Sequence, residues 1–193
     1  MSVLSYNEIT LKKVIILNGE PCIVVASHVF RKQQRKPVNI TKLKSLISGK
    51  VIEQTFHQNE TAEEADIESR QIEYIYPNAG KGEYWFNIPG KPSERFSLTD
   101  SVVGNEIRFL KPKTVIDAVV FNEEIIGIKM PIKVDLKVTE AAPAVKGNTS
   151  SGATKEAKLE TGVTIQVPMF INEGDIVRIN TEDGQYTERV EKA

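Results

Sequence analysis

Apolar residues fall in short β-branched runs, and long stretches with a helical repeat are scarce. Val14-Ile15-Ile16-Leu17, then Asn18-Gly19, then Cys22-Ile23-Val24-Val25 is the strongest local signal. Asn-Gly can supply the two positive φ angles of a type I′ turn, so this segment predicts a β-hairpin. Further strands are predicted at 72–76, 106–110, 115–121, 124–128, 132–138, 163–167 and 175–180. Turn residues separate them, as at Asn78-Ala79-Gly80-Lys81-Gly82 and Asp183-Gly184. Many short strands at near-regular spacing predict an all-β chain of small barrels or sandwiches. There is no Gly-rich phosphate loop and no βαβ alternation, which argues against a dinucleotide-binding or P-loop fold.

Composition narrows the chemistry. The chain has 193 residues, 40% of them apolar and 26% charged. That is enough for a buried core, in one ordinary domain or two to three small ones. A single cysteine, Cys22, excludes a disulfide framework and a cysteine-based zinc site within the chain. His28 and His57 have no acidic or cysteine partner at metal spacing. The cluster Glu60, Glu63, Glu64 and Asp66 reads as a solvated linker rather than a Mg²⁺ site. No metal, no cofactor and no enzymatic nucleophile–base pair is expected. The longest apolar stretches are about five residues, too short to span a membrane, and residues 1–10 lack a signal pattern. A soluble cytoplasmic protein is expected.

Charge divides the chain more sharply than hydropathy does. The net charge is −1, which excludes a globally basic nucleic-acid coat. Residues 1–63 carry nine basic and five acidic groups, residues 64–129 eight and eleven, and residues 130–193 eight and ten. Those three blocks are the expected domains. Residues 21–50 hold seven cations and no acid. Within them, Val29-Phe30 and Val38-Asn39-Ile40 flank Arg31, Lys32, Gln33, Gln34, Arg35, Lys36 and Pro37. This pattern predicts a protruding hairpin whose cations repel one another unless an anion is the partner. Phosphate fits, with salt-sensitive binding through counterion release. Gln33 and Gln34 add neutral groups that reach a ribose or base edge. The alternative is a solvated turn kept soluble by its charges. Tyr84, Trp85 and Phe86 offer a base-stacking platform, but alternation puts Trp85 opposite the other two, and core packing is the better expectation.

The C-terminal third carries a more specific pattern. Lys155-Glu156-Ala157, Gly162, Ile165-Gln166-Val167-Pro168, Ile171 and Gly174 follow the signature of bacterial elongation factor P. The resemblance extends to Asn18-Gly19-Glu20-Pro21, Thr41-Lys42-Leu43-Lys44, Gly49-Lys50-Val51, Tyr74-Ile75-Tyr76 and Gly184-Gln185-Tyr186-Thr187-Glu188-Arg189-Val190. The chain is thereby identified as resembling that family over most of its length.

The resemblance implies three β-barrels in an L-shaped, tRNA-like arrangement. A KOW-like (SH3-like) barrel spans 1–63, and two OB-type barrels span 64–129 and 130–193. It implies a monomeric factor that binds the 70S ribosome between the P and E sites, near ribosomal RNA and proteins. There it positions the acceptor end of P-site peptidyl-tRNA and relieves stalls at consecutive prolines. The hairpin 31–36 would reach that acceptor end, with Lys42 on the acceptor-stem side. Tyr186 and Arg189 match residues that contact the tRNA elbow, and Gly147-Asn148-Thr149 matches a loop at the E-site codon. Lys155, Ala157, Gly162, Val167, Pro168 and Gly174 are expected to be structural. The family commonly has a modified lysine at the tip, or an arginine in some members. Gln34 stands at that position here, so lysylation is not expected. Either the unmodified tip suffices, or Arg35 contacts the acceptor end through a shifted loop. A general RNA-binding OB module is the competing reading.

Overall fold

The computed structural model describes residues 2–31, 36–78, 80–143 and 153–193. The strands run in chain order as β1 (Val3–Ser5), β2 (Val14–Leu17), β3 (Glu20–Phe30), β4 (Val38–Ser45), β5 (Val51–His57), β6 (Thr61–Glu63), β7 (Glu68–Asn78), β8 (Glu83–Ile88) and β9 (Lys91–Thr99). A short helix α1 (Asp100–Val103) and a 3-10 helix (Asn105–Phe109) follow. Then come β10 (Val115–Phe121), β11 (Glu124–Lys129), β12 (Lys133–Ala141), β13 (Thr154–Leu159), β14 (Thr164–Pro168), β15 (Ile176–Asn180) and β16 (Tyr186–Glu191). The fold is all-β. Among the described residues the strands form sheets with the orders β1-β6, β2-β3-β4-β5, β11-β10-β7-β8-β9 and β14-β13-β12-β15-β16. The chain divides into two units, Met1–Arg70 with Ala118–Ile128, and Gln71–Asp117 with Lys129–Ala193.

In the first unit, the Asn18-Gly19 turn has φ of 52° and 84° and joins β2 to β3 with Leu17 opposite Glu20. These are the two left-handed residues that a type I′ hairpin requires. Strand alternation then directs Ile15, Cys22, Val24, Leu43 and Phe56 to one side, where they meet Leu4, Ile9 and Ala62. Asn39 is fully buried on that side, and its Nδ2 donates to the carbonyls of Tyr6 (2.6 Å) and Ile9 (2.9 Å). A single amide thus ties the irregular segment between β1 and β2 to the sheet.

The acidic stretch around residues 57–64 is not a solvated linker. Residues 61–63 form β6 and pair with β1, Val3 opposite Glu63 and Ser5 opposite Thr61. Ala62 enters the core, and Lys13 Nζ contacts Glu64 Oε1 at 2.5 Å. One buried alanine among acids is too weak a period-two signal to announce a strand.

In the second unit, Phe86 is fully buried between Tyr74 (ring centroids 5.5 Å apart) and Phe96 (6.0 Å). Trp85 faces the opposite way, as alternation predicts. It is only partly buried and stacks on the exposed Tyr76 at 6.3 Å instead of entering the core. Residues 105–109 form a 3-10 helix, not the expected strand. Gly104, at φ 72°, ends α1 and turns the chain, and Ile107 and Phe109 are then both buried from a helical turn. Spacing of two apolar residues over five positions cannot separate the two conformations.

Phe109 joins Leu136, Val138, Leu159, Val167, Ile171, Val177 and Ile179 in the C-terminal core. Burying each such side chain contributes about 1.5–3 kcal/mol.

Candidate nucleic-acid interface

The basic hairpin is rooted in the two longest strands of the β2-β3-β4-β5 sheet, the first sheet of three or more strands along the chain. β3 and β4 pair from Cys22 opposite Ser45 to Phe30 opposite Val38. The far face of β4 is buried at Asn39, Thr41, Leu43 and Ser45, so its near face (Val38, Ile40, Lys42, Lys44) looks outward. Arg31 and Lys36 are exposed where the strands end. Lys32, Gln33, Gln34 and Arg35 lie outside the described residues. Lys42 is exposed, with Ala26 on one side and Glu53 on the other. Arg31 and Lys36 at one end of a two-strand ribbon, in a stretch with no acid from 21 to 50, favour an anionic partner.

The second group of predicted residues lies on the C-terminal sheet. Tyr186 opens β16 opposite Ile179 and packs on the C-terminal core. Partial burial pushes its phenol pKa up. Arg189, opposite Val177, has its guanidinium 5.2 Å from the ring centroid of Phe170, which is 56% exposed. The same guanidinium donates through Nη1 to Asp175 Oδ2 at 3.4 Å. Asp175 is 1% exposed and also accepts the backbone N–H of Asn172 and of Ala193, each at 2.9 Å. Burial pushes its carboxyl up, but these donors and the guanidinium outweigh it and leave the pKa below the usual carboxylate range. Arg189 is therefore held on one edge and one face, and its side chain stays 30% exposed. Phe170 and Asp175 were not found from the sequence, because the segment between β14 and β15 meets Arg189 of β16 only in the folded chain, not through local spacing.

The signature residues occupy the sheet beside them. Lys155 pairs with Val167 and Ala157 with Ile165, all with buried side chains. Pro168 ends β14, where it has no N–H to offer a further strand. Gly162 and Gly174 have φ of 86° and 91°. A Cβ on Gly174 would lie 2.7 Å from that of Ala193, so glycine lets the C-terminal residue reach Asp175. Gly147, Asn148 and Thr149 lie outside the described residues.

Cys22 is buried, and desolvation raises its thiol pKa, as expected of an inert core cysteine. Among the described residues no group of three or more His, Cys, Asp or Glu side chains is placed to hold a metal ion, and no helix is long and apolar enough to cross a membrane.

These features define an all-β chain built on several small sheets, with the exposed cations Arg31 and Lys36 where β3 ends and β4 is about to begin. Residues 5–62 match the family model described as Elongation factor P (EF-P) KOW-like domain, and residues 134–189 match that of Elongation factor P, C-terminal. The chain is 38% identical over 189 residues to Elongation factor P of Brachyspira hyodysenteriae, covering 98% of this chain and all of that protein. It is 42% identical over 149 residues to Elongation factor P of Moorella thermoacetica, covering 77% and 79%. Among solved structures, Eukaryotic translation initiation factor 5A from Methanococcus jannaschii aligns with a TM-score of 0.52 at 13% identity, over 66% of this chain and 92% of that one. That likeness speaks to fold alone. The chain belongs to the elongation factor P family of translation factors.

Proposed function

We propose that this chain binds the 70S ribosome between the P and E sites and steadies the acceptor end of P-site peptidyl-tRNA, so that peptide bonds form at consecutive prolines. Family membership over nearly the whole chain, together with an acid-free basic hairpin on the first sheet, carries this reading. Proline fixes φ and reacts through a secondary nitrogen, so a stalled peptidyl end misplaces its reacting atoms. Misplacement by about 1 Å can cost about 100-fold in rate. A factor that restores orientation needs binding energy and no acid, base or nucleophile of its own. The factor is then not an enzyme, and the ribosome performs the chemistry.

In this reading it works as a cytoplasmic monomer with barrels at 1–63, 64–129 and 130–193. The hairpin residues 31–36 approach the acceptor end, Lys42 the acceptor stem, Tyr186 and Arg189 the tRNA elbow, and residues 147–149 the E-site codon. No lysyl modification is required at Gln34.

The test is synthesis of a triple-proline peptide on purified ribosomes, with and without the protein. Rescue by recombinant, unmodified protein is expected. Failure of both recombinant and host-purified protein would overturn the proposal. Arg35→Glu is expected to impair rescue more than Lys113→Glu; equal behaviour would remove the hairpin as the working end.

A further inference from the structure

Beside the basic hairpin, the outer face of the first sheet carries two cross-strand rows of unusual composition. One row is His28, Ile40 and Thr55, and the next is Phe30, Val38 and His57. Phe30 is 41% and Ile40 37% exposed, and both imidazoles are exposed. The rings of His28 and Phe30 stack with centroids 6.4 Å apart and planes 29° from parallel. Both histidines of the chain therefore stand at opposite corners of one small aromatic and aliphatic surface. Nothing in the first unit's core needs these side chains, because the buried residues Asn39, Thr41 and Phe56 point the other way.

Cations bracket this surface along the strands. Lys42 lies in the next row on one side, with Glu53 at the margin. Arg31 and Lys36 stand beyond Phe30 and Val38 on the other. Val38 and Lys42 are separated by roughly 13 Å of strand. An exposed phenyl ring with an imidazole stacked on it presents a π-face to water. Any nucleobase can cover such a face regardless of sequence, and cations at both ends suit the phosphates on either side of that base. A basic protein surface would be repelled by the same cations.

We propose that Phe30 and His28 form a stacking site for an unpaired nucleobase of the RNA strand that the hairpin cations hold. This inference rests on the nucleic-acid reading of the hairpin given above. It assigns base contact to the root of the hairpin and phosphate contact to Arg31, Lys36 and Lys42. His57, across Val38, supplies a ring nitrogen at the edge of the site.

The experiment measures the half-saturating concentration of the full-length protein in triple-proline peptide synthesis on purified ribosomes, at two salt concentrations. Phe30→Ala and Phe30→Leu are each expected to raise it about tenfold, the effect of losing one base–aromatic stack. Phe30→Tyr is expected to stay within about twofold of wild type. The Phe30 variants should keep the wild-type salt dependence, while the double variant Arg31→Glu/Lys36→Glu should weaken it. A purely structural role predicts the opposite, since leucine preserves apolar packing. Wild-type behaviour of Phe30→Leu, or of Phe30→Ala while the charge variant is impaired, would overturn the stacking site alone. Wild-type behaviour of the charge variant as well would overturn the hairpin reading and the site with it. Unchanged thermal midpoints are expected, because Phe30 is outside the core.

Discussion

The guanidinium of Arg189 is tethered to the buried carboxylate of Asp175, Nη1 to Oδ2, at 3.4 Å. Asp175 holds two backbone N–H groups as well, so one side chain orders the end of the chain and a residue proposed to touch RNA. Asp175→Ala strands three donors. It is expected to lower stability by about 2–4 kcal/mol, read as lost hydrogen-exchange protection in residues 176–191.

The same carboxylate makes stability depend on acid. Its folded pKa is lower than its unfolded one, because its backbone donors and Arg189 together exceed the effect of burial. Asp135 is likewise lowered, chiefly by the hydrogen bonds of Arg178. The unfolded chain therefore binds these protons more readily than the folded one. The stabilisation is fully present above the unfolded value of about 4 and is lost as pH falls through the folded values. Denaturation midpoints should be flat from pH 7 to 5 and drop below pH 4. Asp175→Asn should make that drop shallower, and an unchanged drop would dissociate it from this group.

Tyr186 separates packing from contact. Its ring lies against the C-terminal core, so Tyr186→Phe should leave stability within about 0.5 kcal/mol. If the hydroxyl meets tRNA, the same change should reduce triple-proline synthesis severalfold at limiting factor. Equal activity at every factor concentration would make Tyr186 a packing residue only.

Asn39 gives a contrast between a truncation and a shape-preserving substitution. Asn39→Ala removes the Nδ2 donor from the carbonyls of Tyr6 and Ile9 and is expected to cost about 1–3 kcal/mol. Asn39→Asp keeps the shape but replaces the donor with a buried carboxylate beside carbonyl oxygens, and should cost more at pH 7 than at pH 4. Thermal melts at the two pH values check this.

A second two-residue turn is less well matched to its residues than Asn18-Gly19. Asn122 and Glu123, between β10 and β11, have φ of 49° and 67°. Glutamate is strained in that conformation, at a cost of about 1–2 kcal/mol. Part of the gain on placing glycine there is lost to the greater freedom of the unfolded chain. Glu123→Gly is expected to stabilise by about 0.5–1 kcal/mol, read from the urea midpoint.

These two turns also mark how far the fold was readable from residue order. Asn18-Gly19 declares its conformation because both residues tolerate positive φ. Asn122-Glu123 does not, because Glu123 adopts it only under the pairing of its flanking strands. Parts of β3, β4 and β12 were visible as short apolar runs at 22–25, 38–40 and 132–138. β6 was hidden because its single buried residue is an alanine among charges, and residues 105–109 were misread because Gly104 redirects a pattern that fits two periods. At the candidate site, the cations of the hairpin were legible as residue types, and the pair Tyr186 and Arg189 only through the family resemblance. Their supports Phe170 and Asp175 come from contacts between segments, which local sequence does not state, whereas His28 and Phe30 share a face of β3 by simple alternation.

The burial of Cys22 has a practical corollary. With its sulfur enclosed and its thiol held protonated, the native chain should be nearly silent toward maleimides under folding conditions. A cysteine introduced at Arg31 or Lys36 would then be the sole reactive handle. Fluorophores or cross-linkers could be placed at the mouth of the hairpin without first replacing Cys22.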